Sequence, residues 1–290
     1  MPRPAISRPR RSAFGRWAGR GFLAGILAVS ASAAPPAAVP VTALSYADLA
    51  DLADNAPLVL KARIRKVAEL DAAHSAGVRP GWARIYVEAT TESLFAGPAA
   101  IGESVRYLAD VRRDSRGKLP KLAKQPVLVF ARAVPRRPGE LQLVAPDSQV
   151  AWDADTESRL RGVLREIYAE HAPGRVSRVH EAIHVAGNLA GEGETQIFLA
   201  TPDGEPATIT VLRHPGLPVH WTVSFSEVVE STGLAPTRES LGWYRLACFL
   251  PATLPPGVNV SSSASERAQA VEDYRAVMAD LGPCLRTRGQ

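Results

Sequence analysis

The sequence predicts a mixed α+β protein in which a small five-stranded β-barrel domain precedes a smaller α+β domain. Apolar and polar residues alternate with a period of two through much of residues 58–144, which is typical of half-buried strands. Apolar residues at helical spacing dominate the last 50 or so residues instead. Two cysteines late in the chain, Cys248 and Cys284, add one candidate disulfide that would staple the second domain.

The first domain is predicted to open with a helix. Ser45, with Asp48 three residues later, forms a capping-box pattern ahead of Leu49 and Leu52. Strands with turn signals between them follow, and five short strands of this kind indicate a closed or partly closed barrel. A helix with one apolar face is predicted to end the domain. The predicted strands are 58–65, 83–94, 105–111, 127–134 and 141–144, and the helix is 155–171.

The second domain is predicted to contain a hairpin, a third strand and two helices. The hairpin turns at Pro202, Asp203 and Gly204, which are residues typical of tight turns. The predicted organisation is therefore a signal peptide, a linker, a barrel domain and an α+β domain, at 1–33, 34–44, 45–172 and 173–290. The second domain's predicted strands are 195–201, 207–213 and 219–225, and its helices are 239–250 and 265–281.

Two resemblances accompany these patterns. The order and spacing of strands over residues 57–150 resemble the oligonucleotide/oligosaccharide-binding (OB) barrel, in its netrin-like or protease-inhibitor-like secreted form. Those inhibitors begin with a cysteine at their amino terminus, and this chain lacks that feature. The resemblance therefore implies a fold and no inhibitory activity. Residues 194–199 and 243–251 resemble a group of exported proteins of Gram-negative bacteria to which no activity is attached. That second resemblance implies an exported protein of two parts.

The first 33 residues predict a cleaved signal peptide. Six arginines and no acidic residue precede the apolar stretch 22–29, and Ala31-Ser32-Ala33 places small residues where signal peptidase cuts. A membrane anchor is the alternative, but about 14 apolar or small residues fall short of the roughly 20 that span a bilayer. We therefore expect cleavage after Ala33 and a periplasmic or secreted product of roughly 255 residues without a transmembrane span.

Loss of the signal peptide changes the charge of the chain. Of the 34 basic residues six lie in that segment, which leaves 28 against 29 acidic residues and a net charge of about −1. A near-neutral product gives no electrostatic reason to expect a nucleic-acid partner. In an exported chain Cys248 and Cys284 are expected to form a disulfide. Its 36-residue loop would contribute roughly 3 to 4 kcal/mol in the chain-entropy model, and two buried free thiols are the alternative.

One segment has the spacing of a catalytic motif. His180, Glu181 and His184 match the zincin pattern, in which two histidines on one helical face hold zinc and the glutamate acts as general base. Glu227 or Glu230 could supply the third ligand that such a site needs. The segment fits either a helix or a short strand that enters a turn. A zinc-dependent peptidase is therefore the alternative hypothesis, and zinc is expected only under it.

A basic run between two predicted strands offers a different kind of site. Residues 112–124 carry six basic side chains against the single carboxylate of Asp114, and a positive patch attracts anions. We therefore predict a non-enzymatic, exported binding or envelope-associated module that needs no cofactor. Its partner would be a protein or an anionic component of the envelope. The candidate anion contacts are Arg112, Arg113, Arg116 and Lys118.

Overall fold

The computed structural model describes residues 43–97, 101–226 and 234–288. The predicted signal peptide lies outside the described residues, as does the predicted linker apart from its last two residues. Among the residues that are described, no helix combines the length and the apolar character needed to cross a membrane. Export and cleavage after Ala33 therefore stay predictions.

The first half consists of a helix followed by an antiparallel sheet. Helix α1 begins as predicted, because the Ser45 hydroxyl accepts from the Asp48 backbone N–H while the Asp48 carboxylate accepts from the Ser45 N–H. The five predicted strands are confirmed, and a sixth of three residues was not predicted. The elements are α1 (Tyr46–Asp54), β1 (Leu58–Glu69), a 3-10 turn (Ala72–His74), β2 (Trp82–Ala96), β3 (Ser104–Arg112), β4 (Pro126–Ala133), β5 (Leu141–Leu143) and β6 (Gln149–Ala151).

The strand order of this sheet is β3-β2-β1-β4-β5, and β6 pairs with the other end of β4. β3 and β5 meet at one parallel bridge between Arg106 and Glu140, where the Arg106 N–H donates to the Gly139 carbonyl at 2.8 Å. No ladder joins β3 to β6 in the described residues, because β5 and β6 are too short to follow the length of β3. The α+β class is confirmed, but the predicted five-stranded OB-like barrel is not, since no closed barrel is found.

The second half consists of a four-stranded antiparallel sheet of order β10-β9-β8-β7 and three helices. Asp153, Ser240 and Ser263 cap the three helices with their side-chain oxygens. The predicted hairpin, third strand and helices are present, although two of the helices are shorter than predicted. The elements are α2 (Ala154–Ile167), β7 (Arg178–Ala186), β8 (Gly193–Ala200), β9 (Ala207–Arg213), β10 (His220–Ser224), α3 (Leu241–Ala247) and α4 (Ala264–Leu281).

Two hydrophobic cores hold these elements. The smaller core lies inside the curved first sheet, around Leu60, Ile85 and Val129. The larger core takes residues from both halves of the chain: Leu49 from α1 and Phe130 from β4 pack with residues of the second sheet and its helices. Residues 42–290 accordingly form one compact unit, and the predicted division at residues 172 and 173 stays a prediction.

A disulfide and an ion pair fasten the helices of the second half. Cys248 and Cys284 are bonded, with Cα atoms 5.1 Å apart, which confirms the predicted disulfide and ties the end of α3 to the residues after α4. Arg245 of α3 donates two hydrogen bonds, both 2.8 Å, to the carboxylate of Asp54 at the end of α1. Helices from opposite ends of the chain are therefore joined by a buried charge pair.

Candidate functional site

The His180–His184 segment lies in strand β7, not in a helix. A bulge between Val179 and Glu181 interrupts the alternation of β7, so His180 is exposed while His184 is buried. His180 and His184 therefore do not share a face, as they would on a helix. Glu227 and Glu230 lie outside the described residues. Within 43–97, 101–226 and 234–288, no three acidic, histidine or cysteine side chains converge as a metal site, and the zinc alternative stays a prediction.

His184 instead belongs to a buried polar network between the second sheet and α4. Its ring nitrogen Nδ1 lies 2.8 Å from Oγ1 of Thr195 on the neighbouring strand β8. The Thr195 hydroxyl donates to Asp273 of α4, which also accepts from Arg213 Nε and, at 3.2 Å, from Gln269 Nε2. Asp273 is fully buried, so these donors are what allow an ionised carboxylate there.

The direction of these hydrogen bonds fixes the tautomer of His184. An ionised carboxylate only accepts, so the single hydroxyl hydrogen of Thr195 goes to Asp273. The Thr195 oxygen is then an acceptor toward His184, and the hydrogen of the neutral ring must sit on Nδ1. In the neutral form of the ring, Nε2 consequently carries a lone pair, and Nδ1 also lies 3.6 Å from Asp273 Oδ2. No hydrogen bond from the described residues reaches this nitrogen, and the His184 ring lines a cavity of about 190 Å³.

The predicted basic loop, residues 112–124, is an ordered turn in the structure. The Asp114 carboxylate accepts from the backbone N–H groups of Arg116 and Lys118, and Gly117 adopts the positive φ that the turn requires. Arg113 is paired with Glu69 and is thus not directed at a partner. Arg116 and Lys118 are exposed, and no carboxylate of the described residues lies within ion-pair distance of either side chain.

Arg112, at the root of the basic loop, lines a second cavity of about 480 Å³. This cavity occupies the gap where β3 faces β6 and the sheet is not closed, and we call it the seam cleft. Trp82 and Trp152 stand among its walls, with apolar side chains between them. Its lining includes Leu44, Trp82, Arg112, Leu122, Val150 and Trp152.

The walls of the seam cleft are held by charged contacts. Arg84 donates two hydrogen bonds to the nearly buried Asp110, at 2.8 and 3.0 Å, and this interaction raises the pKa of the Arg84 guanidinium. The Arg79 guanidinium lies 3.9 Å from the centroid of the Trp82 ring and also donates to Asp147. These contacts hold the Trp82 ring in place in the unbound protein.

Trp152 is fixed in a similar way from the other side. Lys61 Nζ lies 3.7 Å from its ring centroid, and its indole N–H donates to Glu157 at 2.5 Å. That hydrogen bond, together with the nearby Arg161, lowers the pKa of the Glu157 carboxyl group. The indole ring therefore has a defined orientation at the edge of the seam cleft.

The structure thus brings together only part of the predicted site. His184 occupies a site, but with Thr195, Arg213 and Asp273 as neighbours and without His180 or Glu181. Arg112, Arg116 and Lys118 do share one region, whose tryptophan neighbours were not predicted. No protein-family model matches the chain, and no curated protein matches it, so its function has to be argued from this geometry.

Proposed function

We propose that the protein is an exported, non-enzymatic binding module that holds an anionic partner, a protein or another component of the cell envelope. Its site consists of the basic loop and the seam cleft beside it. The observation that carries the proposal is that Arg112 belongs to both features, so a partner lying in the cleft also meets the positive loop.

The charges of the loop are available to a partner. Arg116, Lys118, Lys121 and Lys124 are exposed, and the described residues place no carboxylate within ion-pair distance of any of them. Asp114 and Gly117 already fix the backbone of the turn, so little backbone entropy would be lost when a partner binds. A positive loop of this kind raises association rates with anions more than it raises affinity.

The seam cleft would supply the rest of the affinity. Its volume of about 480 Å³ falls within the usual range of ligand sites, roughly 300 to 1,000 Å³. Leu44, Leu122 and Val150 give it apolar surface, and Trp82 and Trp152 give it flat aromatic surface. Rigid tryptophans contribute contact area at small entropic cost and are enriched among interface residues.

We also propose that the first sheet is a partly open barrel of the OB type. Two observations support this: the strand order β3-β2-β1-β4-β5, and the parallel approach of β3 to β5 at Arg106 and Glu140. The seam cleft would then be the open side of that barrel. The disulfide between Cys248 and Cys284 supports export, because such bonds persist in oxidising compartments.

Charge reversal tests the proposed function. The triple variant Arg116→Glu, Lys118→Glu, Lys121→Glu should elute from a polyanionic matrix at much lower salt than the parent protein, because three attractive charges become repulsive. A matched variant reverses three exposed arginines elsewhere that have no ion pair in the described residues. The control positions are Arg132, Arg178 and Arg275.

The two variants have the same net charge, so non-specific attraction would shift both equally. The proposal predicts that the loop variant loses retention and that the control variant largely keeps it. Equal elution of the two variants would refute a specific role for the loop. Vesicles with and without anionic lipid, and polyglutamate in solution, then show whether a membrane surface or an acidic polypeptide binds better.

A further inference from the structure

The His184 cavity contains hydrogen-bond acceptors that the fold itself does not use. In the neutral ring, Nε2 of His184 presents a lone pair, and among the described residues the Gln269 amide oxygen accepts no hydrogen bond, since its nitrogen is the atom engaged with Asp273. Glu266 also lines the cavity, and one of its carboxylate oxygens accepts from the Ser263 N–H in the capping box of α4. The Ser263 hydroxyl and the Ser262 backbone also hydrogen-bond to this carboxylate.

Glu192 adds a second carboxylate to the cavity. One of its oxygens accepts from the backbone N–H groups of Asn188 and Leu189 in the turn between β7 and β8, at 3.1 and 3.2 Å. The side chain lies against Gly187, where a Cβ atom would come within 2.4 Å of it, so the carboxylate has a fixed position. Its second oxygen is free of hydrogen bonds to the described residues.

The balance of charge in the cavity is negative. Arg213 is the one cation among the lining residues, and its charge is already paired with the buried Asp273. Glu192 and Glu266 remain without a counter-ion in the described residues. The Glu266 carboxyl group is held ionised, because hydrogen bonds from the Ser263 backbone and hydroxyl lower its pKa. A cationic group that donates several hydrogen bonds would match this arrangement, and an anion would be repelled.

A cleft with apolar walls lies on the other face of the same strands. A larger cleft of about 600 Å³ on the second sheet shares Ala186, Glu192 and Arg213 with the His184 cavity. Ile183, Val185 and Leu212 line that cleft.

We propose that the His184 cavity binds a primary alkylammonium group, with His184 Nε2 and the carboxylates of Glu266 and Glu192 as acceptors. A primary ammonium has three N–H bonds, one for each of these acceptors. The volume of about 190 Å³ is several times the roughly 30 Å³ share of a liquid water, so it admits the head group. A polyamine and a lysine side chain both carry this chemistry.

The tautomer of His184 is the first test. In alkaline buffer, where imidazoles are neutral, two-bond ¹H–¹⁵N spectra of the mature protein should show His184 protonated at Nδ1 and bare at Nε2. Addition of n-butylammonium should move the Nε2 resonance in a saturable manner, with a dissociation constant of about millimolar, as expected for so few atoms. An equal concentration of 1-butanol should leave it unmoved.

A charge-neutralising variant is the second test. Glu266→Gln keeps the capping box, because glutamine also fits that position, and should weaken n-butylammonium binding by about three- to fivefold. Glu272→Gln on the exposed face of α4 makes the same chemical change outside the cavity and should leave binding unchanged. Thermal unfolding of both variants shows whether the fold is preserved.

Several results would overturn the proposal. These are a ring protonated at Nε2, equal responses to n-butylammonium and 1-butanol, no response to either, or equal affinities of the Glu266 and Glu272 variants. If the amine binds, cadaverine and Nα-acetyl-lysine amide separate the two sources. Tighter binding of cadaverine identifies a polyamine, and tighter binding of the lysine derivative identifies a peptide side chain. These outcomes are independent of the anionic partner, because the basic loop takes no part in them.

Discussion

Replacement of Asp54 by asparagine is expected to destabilise the protein strongly, because it leaves a buried arginine without its counter-ion. Asp54 accepts both hydrogen bonds of the Arg245 fork at 2.8 Å, and Arg175 Nε lies 2.8 Å from the same carboxylate. The side chains of Arg245 and Asp54 are 5% and 9% exposed. The pair joins α1 to α3, so its loss weakens the contact between the two halves of the chain.

The size of the effect follows from burial. Removal of one partner from a buried pair costs about 3 to 5 kcal/mol, because the remaining charge is desolvated without compensation. Asparagine retains one carbonyl oxygen that can accept from Arg245, which places the expected loss at about 3 kcal/mol. That loss corresponds to a factor of roughly 150 in the unfolding equilibrium constant.

Urea unfolding followed by tryptophan fluorescence measures this loss. Asp203→Asn, in the exposed turn between β8 and β9, makes the same substitution where no charge partner exists in the described residues, and it should change the free energy of unfolding by less than about 0.5 kcal/mol. A loss below about 1 kcal/mol for Asp54→Asn, or equal losses for the two variants, would show that the pair does not hold the halves together.

The effect of Asp54 should depend on pH in a definite direction. Burial opposes ionisation of Asp54, but the hydrogen bonds and charge of Arg245, and then Arg175, outweigh it and lower its pKa. Its stabilising contribution is therefore complete above the unfolded pKa of about 3.9 and is lost as the pH falls through the lower folded value. The difference between parent and Asp54→Asn should shrink below about pH 4, and a constant difference would contradict this cause.

Three further outcomes are expected. Reduction of the Cys248–Cys284 bond should lower the free energy of unfolding by about 3 to 4 kcal/mol for its 36-residue separation, and urea curves with and without reductant check this. Gly162→Ala, inside α2 with nothing within 4 Å of the new methyl group, should stabilise the protein by roughly 0.5 to 1 kcal/mol in thermal unfolding. Gly193→Ala should instead destabilise it and shift the His184 ring resonances, since its Cβ would lie 2.6 Å from His184 Cε1.

Elements with a regular period could be predicted from the sequence. β2 and β3 alternate between buried and exposed residues over most of their length, and α1 and α4 begin with complete capping boxes. The disulfide could be predicted because the chain has two cysteines and is expected to be exported to an oxidising compartment. β6 could not be predicted, because a strand of three residues is too short to show a period and exists only through its pairing with β4.

The bulge in β7 explains why that segment was ambiguous. An extra residue near His180 breaks the two-residue alternation, so the buried residues Val176, Val179 and Ala182 recur every three residues and imitate a helix. The segment forms a strand because it pairs with β8 and hydrogen-bonds to residues 258–260. Both partners lie outside the segment itself. A local pattern carries no information about such partners.

The buried network around His184 was missed for a similar reason. Thr195 and Asp273 are 78 residues apart, and Arg213 lies on yet another strand. One signal was present: Asp273 lies beside Tyr274, four residues before Val277 in the buried stripe of α4. A buried carboxylate requires hydrogen-bond donors around it, so the presence of Asp273 among the buried residues of α4 indicated a polar site.

We propose that the basic loop and the seam cleft together hold an anionic partner. Two-dimensional NMR of the mature protein during titration with hexaglutamate tests it most directly. We expect shifts in the backbone amides of residues 112–124 and in the indole N–H groups of Trp82 and Trp152, and these shifts should weaken as salt is added. Shifts confined to other surfaces, or none at low salt, would contradict it.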